Sequence, residues 1–458
     1  LSTLLLINPV NSVNIFSYLN PKKAKSNGVA FVPPIGLGYI AAVTPPNWEV
    51  KLIDESIEPF HFQQADLVGI TATTGQAPRA YEIARIYREK HIPVVMGGIH
   101  VSFCREEATR YVDAIVTGEA EEIWPNVIED FQKGDMKQEY SGGKVDLAVD
   151  IVPRRDFFSD RYRVGSIMTS RGCPFACDFC TVTIFNGAKL RRRPVRNVVD
   201  ELESIPQKLV LFLDDNLLGH SKQDKEDTKE LFSEIIRRNI KKRWVAQTSI
   251  NALDDEEVLH LAREAGCMGF FVGIESVNED VLERMDKKAN LKRGIEFYKE
   301  CIRKTHKAGM VIMGNFVLGY EKDIEEIDQD TYWMRKSAID IVNFAILTPY
   351  PGTKVFDRIR KENRIMLDRY PSDWGFYDAD HPVSRMDYLT LEDMYAGIEH
   401  RIKRIYSIPS IVARFIRSLF ATRSLYNSLL ALFVNLFWVR RKNIARLAIL
   451  KMLMERND

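Results

Sequence analysis

The chain has 458 residues, of which 45 % are hydrophobic and 28 % charged, with a formal net charge of +1. That length accommodates two to four domains, and the near-neutral balance gives the bulk of the chain no electrostatic footprint for nucleic acid. Only six cysteines are present and three of them lie between positions 173 and 180, which excludes a framework of spaced disulfides and points to a reduced, cytoplasmic setting.

In chain order, residues 1–140 alternate short apolar runs with helical patterns. TLLLIN (3–8), EVKLID (49–54), DLVGIT (66–71), IPVVMG (92–97) and DAIVTG (113–118) read as parallel strands, because their apolar runs are continuous, as expected of strands covered on both faces. The first run has neither a basic flank nor a small-residue cleavage site, so it reads as a strand rather than a leader. The predicted unit is a doubly wound, Rossmann-like α/β domain whose ligand sits at the carboxyl ends of the strands. Residues 141–164 read as a linker. A second βα series follows over 165–355, with strands at 165–170, 208–215, 243–248, 269–275, 310–319 and 340–347 and helices at 223–239, 255–265 and 293–308. Six βα units predict a partial TIM-like (β/α)6 barrel with its site at the strand C-termini. Residues 356–458 form a mostly helical C-terminal region.

The stretch SRGCPFACDFCTV (170–182) places Cys173, Cys177 and Cys180 directly after the first barrel strand. Three thiolates at this spacing are metal ligands by type. A structural zinc requires a fourth Cys or His, and the first histidine to follow is the remote His220. A [4Fe-4S] cluster on three cysteines leaves one iron open to an outside ligand. The blander reading is a set of unrelated core thiols; the remaining Cys104, Cys267 and Cys301 are scattered, and Cys267, in a helix-to-strand turn, reads as core.

C-x3-C-x-Φ-C after a strand resembles the signature of the radical S-adenosylmethionine (SAM) superfamily, and an α/β domain ahead of such a core is similar to its cobalamin-binding subclass. FVPPIGLGYIAAV (31–43), GGIHVSF (97–103) and GEAEEIWP (118–125) resemble stretches of that subclass. The resemblance implies that Cys173, Cys177 and Cys180 hold an oxygen-sensitive [4Fe-4S] cluster whose open iron chelates SAM. An electron from a low-potential donor then cleaves SAM to a 5'-deoxyadenosyl radical. It further implies SAM contacts from Phe179, from Asp214, Asp215 and Asn216 where the family often has Gly-Gly-Glu, from Gln247, from Glu275 and Ser276 at the ribose position, and from Gly314 and Gly319 near adenine. In the first domain, Thr71, Thr73, Thr74, Gly97, Gly98 and Gly118 are the positions expected around cobalamin. The loop 9–28, where relatives with a cobalt-ligating histidine carry it, contains none.

The implied reaction is cobalamin-dependent methyl transfer to an unactivated carbon of a small apolar or lipid-like molecule. A cobalamin-free cyclase or C–C coupling enzyme, or a non-catalytic cobalamin- or metal-binding protein, would keep the same scaffold. From Ser407 onward nine basic residues stand against two acidic ones, around the apolar run Leu425–Val439. That run falls short of the ~20 residues of a membrane span. Residues 411–453 thus suit peripheral membrane contact, with a helical cap on the barrel or an oligomer face as the alternatives. The tail is too apolar to read as an RNA-binding module, so no nucleic-acid partner is expected.

Overall fold

The computed structural model describes residues 1–11, 13, 32–149, 151–291 and 293–454. Two six-stranded, all-parallel sheets organise the chain. The first contains β1 (Ser2–Asn8), β2 (Trp48–Asp54), β3 (Leu67–Thr71), β4 (Val94–Gly97), β5 (Ala114–Thr117) and β6 (Glu139–Ser141), in the order β2-β1-β3-β4-β5-β6. Alternate residues of β1 serve opposite faces: Leu4 and Leu6 pack with Leu37, Ala41, Trp124 and Val127, whereas Leu5 and Ile7 belong to the core formed with Ala80, Ile83, Ala84 and Tyr87. Burial on both sides is what the continuous apolar runs required. The strand order reverses between β1 and β3, which opens a crevice at their carboxyl ends.

The second sheet is a partial barrel. It contains β7 (Gly165–Ile167), β10 (Leu209–Phe212), β11 (Arg243–Ser249), β12 (Cys267–Glu275), β13 (Val311–Leu318) and β14 (Ile341–Ile346), in the order β14-β13-β12-β11-β10-β7. Trp244 is fully buried between Phe212, Phe232 and Phe270 at the sheet–helix interface. Helices Lys222–Arg237, Glu256–Glu264 and Ile324–Lys336 start at Ser221, Asp255 and Asp323, whose side chains accept the first free backbone N–H groups. A two-stranded antiparallel ribbon, β8 (Ser170–Arg171) with β9 (Arg191–Arg192), hangs from the end of β7.

The segment after Ser141 is extended and packed. Val145 N–H donates to Glu119 at 2.9 Å, and Arg155 bonds Ser166 O at 2.6 Å. At the far end, helices Leu391–Ile405, Ile408–Thr422 and Leu425–Met454 cover the barrel. Ala431, Val434 and Trp438 pack on Val311, Met313 and Ile341 at the start of the last two strands. The helical-cap reading of the tail is therefore correct for one face of these helices.

Candidate active site

The cysteine loop is held at its base. The β8–β9 ribbon brings residues 171 and 191 together, and Cys173 N–H donates to Gly187 O at 3.1 Å. Gly172 has φ +103, and a Cβ there would fall 2.2 Å from Lys189 O, so the turn admits glycine alone. Thr183 Oγ1 donates to Phe175 O at 2.6 Å and to Cys173 O at 3.2 Å, tying the short helix Val182–Asn186 back over the loop. All three thiols are free and half-buried. Burial raises each of them, Cys180 to about 11 with Cys177 and Cys173 adding to the shift. Among the described residues no three His, Cys, Asp or Glu side chains close on a single metal ion. A structural zinc requires a fourth Cys or His beside the thiols, and His220 packs against Phe175 instead, whereas a [4Fe-4S] cluster can be held by three cysteines. The donor set fits a three-cysteine cluster.

The rim residues divide by what already holds them. Asp214 is fully buried and accepts from Thr169 Oγ1 at 2.6 Å and Ser170 Oγ at 2.5 Å, so it fastens β10 to the ribbon. Asp215 accepts from Asn186 Nδ2 at 2.9 Å and bears on the cysteine loop; burial raises its carboxyl. Asn216 accepts from Thr248 Oγ1 at 3.1 Å and Ser249 N–H at 3.2 Å, with its Nδ2 buried and unbonded. Gln247 is exposed on the face of β11 opposite the buried Ala246 and Thr248. Ser276 is fully buried, its hydroxyl bonded to Asp330 at 3.0 Å. The missing side chain of Gly314 faces Ile339, Ile274 and Phe316 in the core, while Gly319, at φ +141, turns the chain at the end of β13 against Leu347 and Met386.

Glu275 ends β12 at a register shift and has φ +67, an uncommon conformation for a non-glycine residue. Its carboxylate pairs with Lys287 Nζ at 2.7 Å, and both side chains are nearly buried. The ammonium stands 5.8 Å from the centre of the Phe179 ring. Burial opposes its charge, but Glu275 and the thiols of Cys177 and Cys180 outweigh that and raise its pKa. Lys287 is the rim residue that the sequence reading missed.

At the other sheet, a cavity of about 610 Å³ opens at the β1/β3 switch point and has the size of a cofactor site. Thr71, Thr73, Gly97, Gly98 and Gly118 line it on one side; Met168, Arg171, Phe185, Asn186 and Leu213 from the mouth of the barrel line the other. Gly98 has φ +100 and Gly118 φ +72, with carbonyl oxygens 2.7 and 2.6 Å from where a Cβ would sit. Thr74 lies instead on an adjoining cavity of about 570 Å³ that shares Asn8, Thr73, Gln76 and Ile99 with the first and reaches Thr181, next to Cys180. A broad cradle with glycine on one wall and Met168, Phe185 and Leu213 beside Arg171 and Asn186 on the other fits a large, flat cofactor.

The two walls are joined by buried ion pairs. Arg171 meets Glu119 at 2.9 Å and also pairs with Glu121, and Arg191 reaches Glu119. Most of the loop 9–28 lies outside the described residues. Among those described, no histidine lines the cavity. His100 is buried beside Tyr81 Oη, at 3.0 Å, and Glu107, at 3.3 Å, within a set that Trp374 completes.

Comparison with known proteins matches both halves of the chain. A family model described as the radical SAM superfamily matches residues 167–331, and one described as the B12 binding domain matches residues 25–128. The chain is 30 % identical over 421 residues to bacteriochlorophyllide d C-8(2)-methyltransferase of Chlorobaculum tepidum, covering 86 % of this chain and 89 % of that one. It is 26 % identical over 412 residues to the hopanoid C-2 methylase of Rhodopseudomonas palustris, covering 86 % and 75 %. The fold matches that of the radical SAM methyltransferase TsrM from Kitasatospora setae, solved with cobalamin and a [4Fe-4S] cluster, with a TM-score of 0.64 at 20 % identity over 79 % of this chain and 78 % of that one.

Proposed function

This chain belongs to the radical SAM superfamily, in the branch that carries a B12-binding domain, and from that premise we propose that it methylates an unactivated carbon of a small, apolar, polycyclic or lipid-like substrate. It is an enzyme of the cobalamin-dependent radical SAM methyltransferase family, and its cofactors are a [4Fe-4S] cluster, SAM and cobalamin. Together these supply a hydrogen-abstracting 5'-deoxyadenosyl radical and a carrier for the methyl group.

The observation that carries the reading is that one cavity is walled by both halves: Gly97, Gly98 and Gly118 on one side, Phe185 and Asn186 of the cysteine loop on the other. In this reading Cys173, Cys177 and Cys180 hold the cluster. Phe179 and the Glu275–Lys287 pair shape the nucleotide pocket, and an ammonium beside the thiols suits a carboxylate partner. Gln247 offers its amide from the open face of β11, and Gly319 lets the backbone approach. Asp214 and Ser276 act from beneath, as supports. Thr71, Thr73 and the three glycines of the first domain border the corrinoid. The adjoining cavity, with Ile99, Phe103, Thr181, Tyr350 and Tyr377 in its wall, is the space assigned to the substrate. The relatives named for bacteriochlorophyllide and hopanoid methylation support a polycyclic substrate. A low-potential donor and a cytoplasmic enzyme with peripheral membrane contact through residues 411–453 complete the proposal.

The test is anaerobic reconstitution with and without cobalamin, followed by assay of 5'-deoxyadenosine and S-adenosylhomocysteine on polycyclic substrates. Both products are expected, and both require cobalamin. Cys180→Ala is expected to lose cluster iron and both products while retaining corrinoid. Turnover that yields deoxyadenosine alone, indifferent to cobalamin, would replace methyl transfer by cyclisation or coupling.

A further inference from the structure

The two tail helices carry their polar residues inward. Arg414, Ser418, Thr422, Asn427, Ser428 and Asn435 are buried. Arg414 bonds Ile405 O at 2.8 Å and Asn435 Oδ1 at 3.1 Å, Asn435 Nδ2 reaches Asp340 O at 2.8 Å, and Asn427 Nδ2 reaches Gly309 O at 2.8 Å. The apolar residues face out. Ile408, Val412, Ile416 and Phe420 recur every four residues along the first helix, and Leu429, Phe433, Leu436 and Phe437 continue the exposure on the second; Phe420 is 76 % and Phe433 66 % exposed. Such an inverted face is an interaction surface rather than a chance scatter of apolar residues.

Charge selects the occupant. No acidic residue occurs between Ser407 and Met454. Arg423 is exposed at the turn between the helices, Lys403 and Arg404 are exposed on the helix before them, and Arg243 lies 3.7 Å from the centre of the Tyr426 ring. A second copy of this chain would set like charge against like across a two-fold axis, whereas anionic headgroups complement both the stripe and its rim. No described helix is long and apolar enough to cross a membrane, so the pair would lie on the surface. Its anchor points, Gly309, Ser337 and Asp340, precede β13 and β14. They are at the strand N-terminal end, opposite the cysteine loop.

We propose that the outward face of residues 408–437 docks on an anionic phospholipid surface and holds the mouth of the barrel turned away from the bilayer. This rests on the peripheral contact proposed above and is independent of the methyl transfer.

The test is flotation of the reconstituted full chain with vesicles of phosphatidylcholine alone or of an equimolar mixture with phosphatidylglycerol. Flotation is expected with the anionic vesicles only, weakened by salt. Phe420→Glu with Phe433→Glu is expected to cut the bound fraction at least about tenfold, with cluster iron and deoxyadenosine formation in solution unchanged. The pair Phe420→Ser with Phe433→Ser should show the same trend if the charged pair fails to fold. Absence of flotation with either vesicle, flotation indifferent to these substitutions, or a native dimer that the substitutions dissociate would each overturn the proposal. Loss of deoxyadenosine formation by the native chain would instead count against the active-site reading and leave the flotation result standing.

Discussion

The two sheets present their carboxyl ends to one cavity, but they build its walls from different material. At the first sheet the wall is backbone: Gly97, Gly98 and Gly118 face the space, and two of them hold conformations that exclude a side chain. At the barrel the wall is side chain: Met168, Arg171, Phe185, Asn186 and Leu213, while the three thiols, the Glu275–Lys287 pair and the Phe179 ring belong to the same barrel rim. A backbone wall recognises shape and is damaged by added volume. A side-chain wall sets charge and is damaged by an unmatched partner. Substitutions on the two sides should therefore fail in different ways, and that difference can be measured.

The largest effect is expected at the Glu275–Lys287 pair. Removing one partner of a buried ion pair leaves an uncompensated charge and costs about 3–5 kcal/mol. Lys287→Met should show that loss in urea unfolding of the reconstituted chain, together with weaker SAM binding. The double variant Lys287→Met with Glu275→Met should recover most of the stability but not the binding. Equal stability of the single and double variants would mean that the pair is not what holds this turn.

Next is Gly98. Its φ of +100 and ψ of −177° lie in a region almost reserved for glycine, and occupying it with a side chain costs about 1–3 kcal/mol. An alanine Cβ would also sit 2.7 Å from Ala72 O and 3.0 Å from Ala72 N, both backbone atoms that cannot rotate aside. Gly98→Ala is expected to weaken corrinoid binding about tenfold, read from the absorbance of the bound cofactor, while cluster iron stays at the native level. A matching fall in cluster iron would show that the two walls are not separable.

Apart from β6, the strands of both sheets were legible because their apolar runs are continuous, and those of the first domain end in Gly, Thr, Asn or Asp; β2 and β13 each lie within one residue of the expected bounds. The ribbon β8–β9 was not legible, since strands of two residues carry no periodicity. β6, Glu-Tyr-Ser, buries only its central residue, too little pattern to separate it from a linker. Lys287 sits in RMDKKAN, where composition suggests a solvated turn; only the path of the chain after β12 brings its ammonium beside the cysteine loop. The pairs between Arg171 and Glu119 or Glu121 join residues 50 and more positions apart, which a single sequence cannot connect. Asp214 and Ser276 were identified by position in a motif, but position does not tell which way a side chain turns, and both turn inward.

Ser276 leads to the smallest and most specific test of the comparison, because the side-chain wall extends beneath the surface. Its hydroxyl donates to Asp330 Oδ1 at 3.0 Å, and Val277 N–H donates to the same oxygen at 2.8 Å. The carboxyl of Asp330 is wholly buried, with Arg401 at 3.6 Å, and Arg401 also pairs with Glu321 at 3.0 Å. Burial pushes Asp330 up to about 7, against the pull of Arg401. A carboxyl raised in the folded state stabilises the fold fully below its ordinary range near 4, and that contribution is lost as pH rises through 7, because the unfolded chain releases the proton first. Asp330→Asn keeps an acceptor for Ser276 and Val277 but has no proton to lose. Its melting temperature relative to the native chain should therefore rise between pH 5 and pH 8, by a few degrees at most for a domain of this size. A difference that stays flat over that interval, or falls, would show that Asp330 is already ionised in the folded protein, and that Arg401 outweighs burial there.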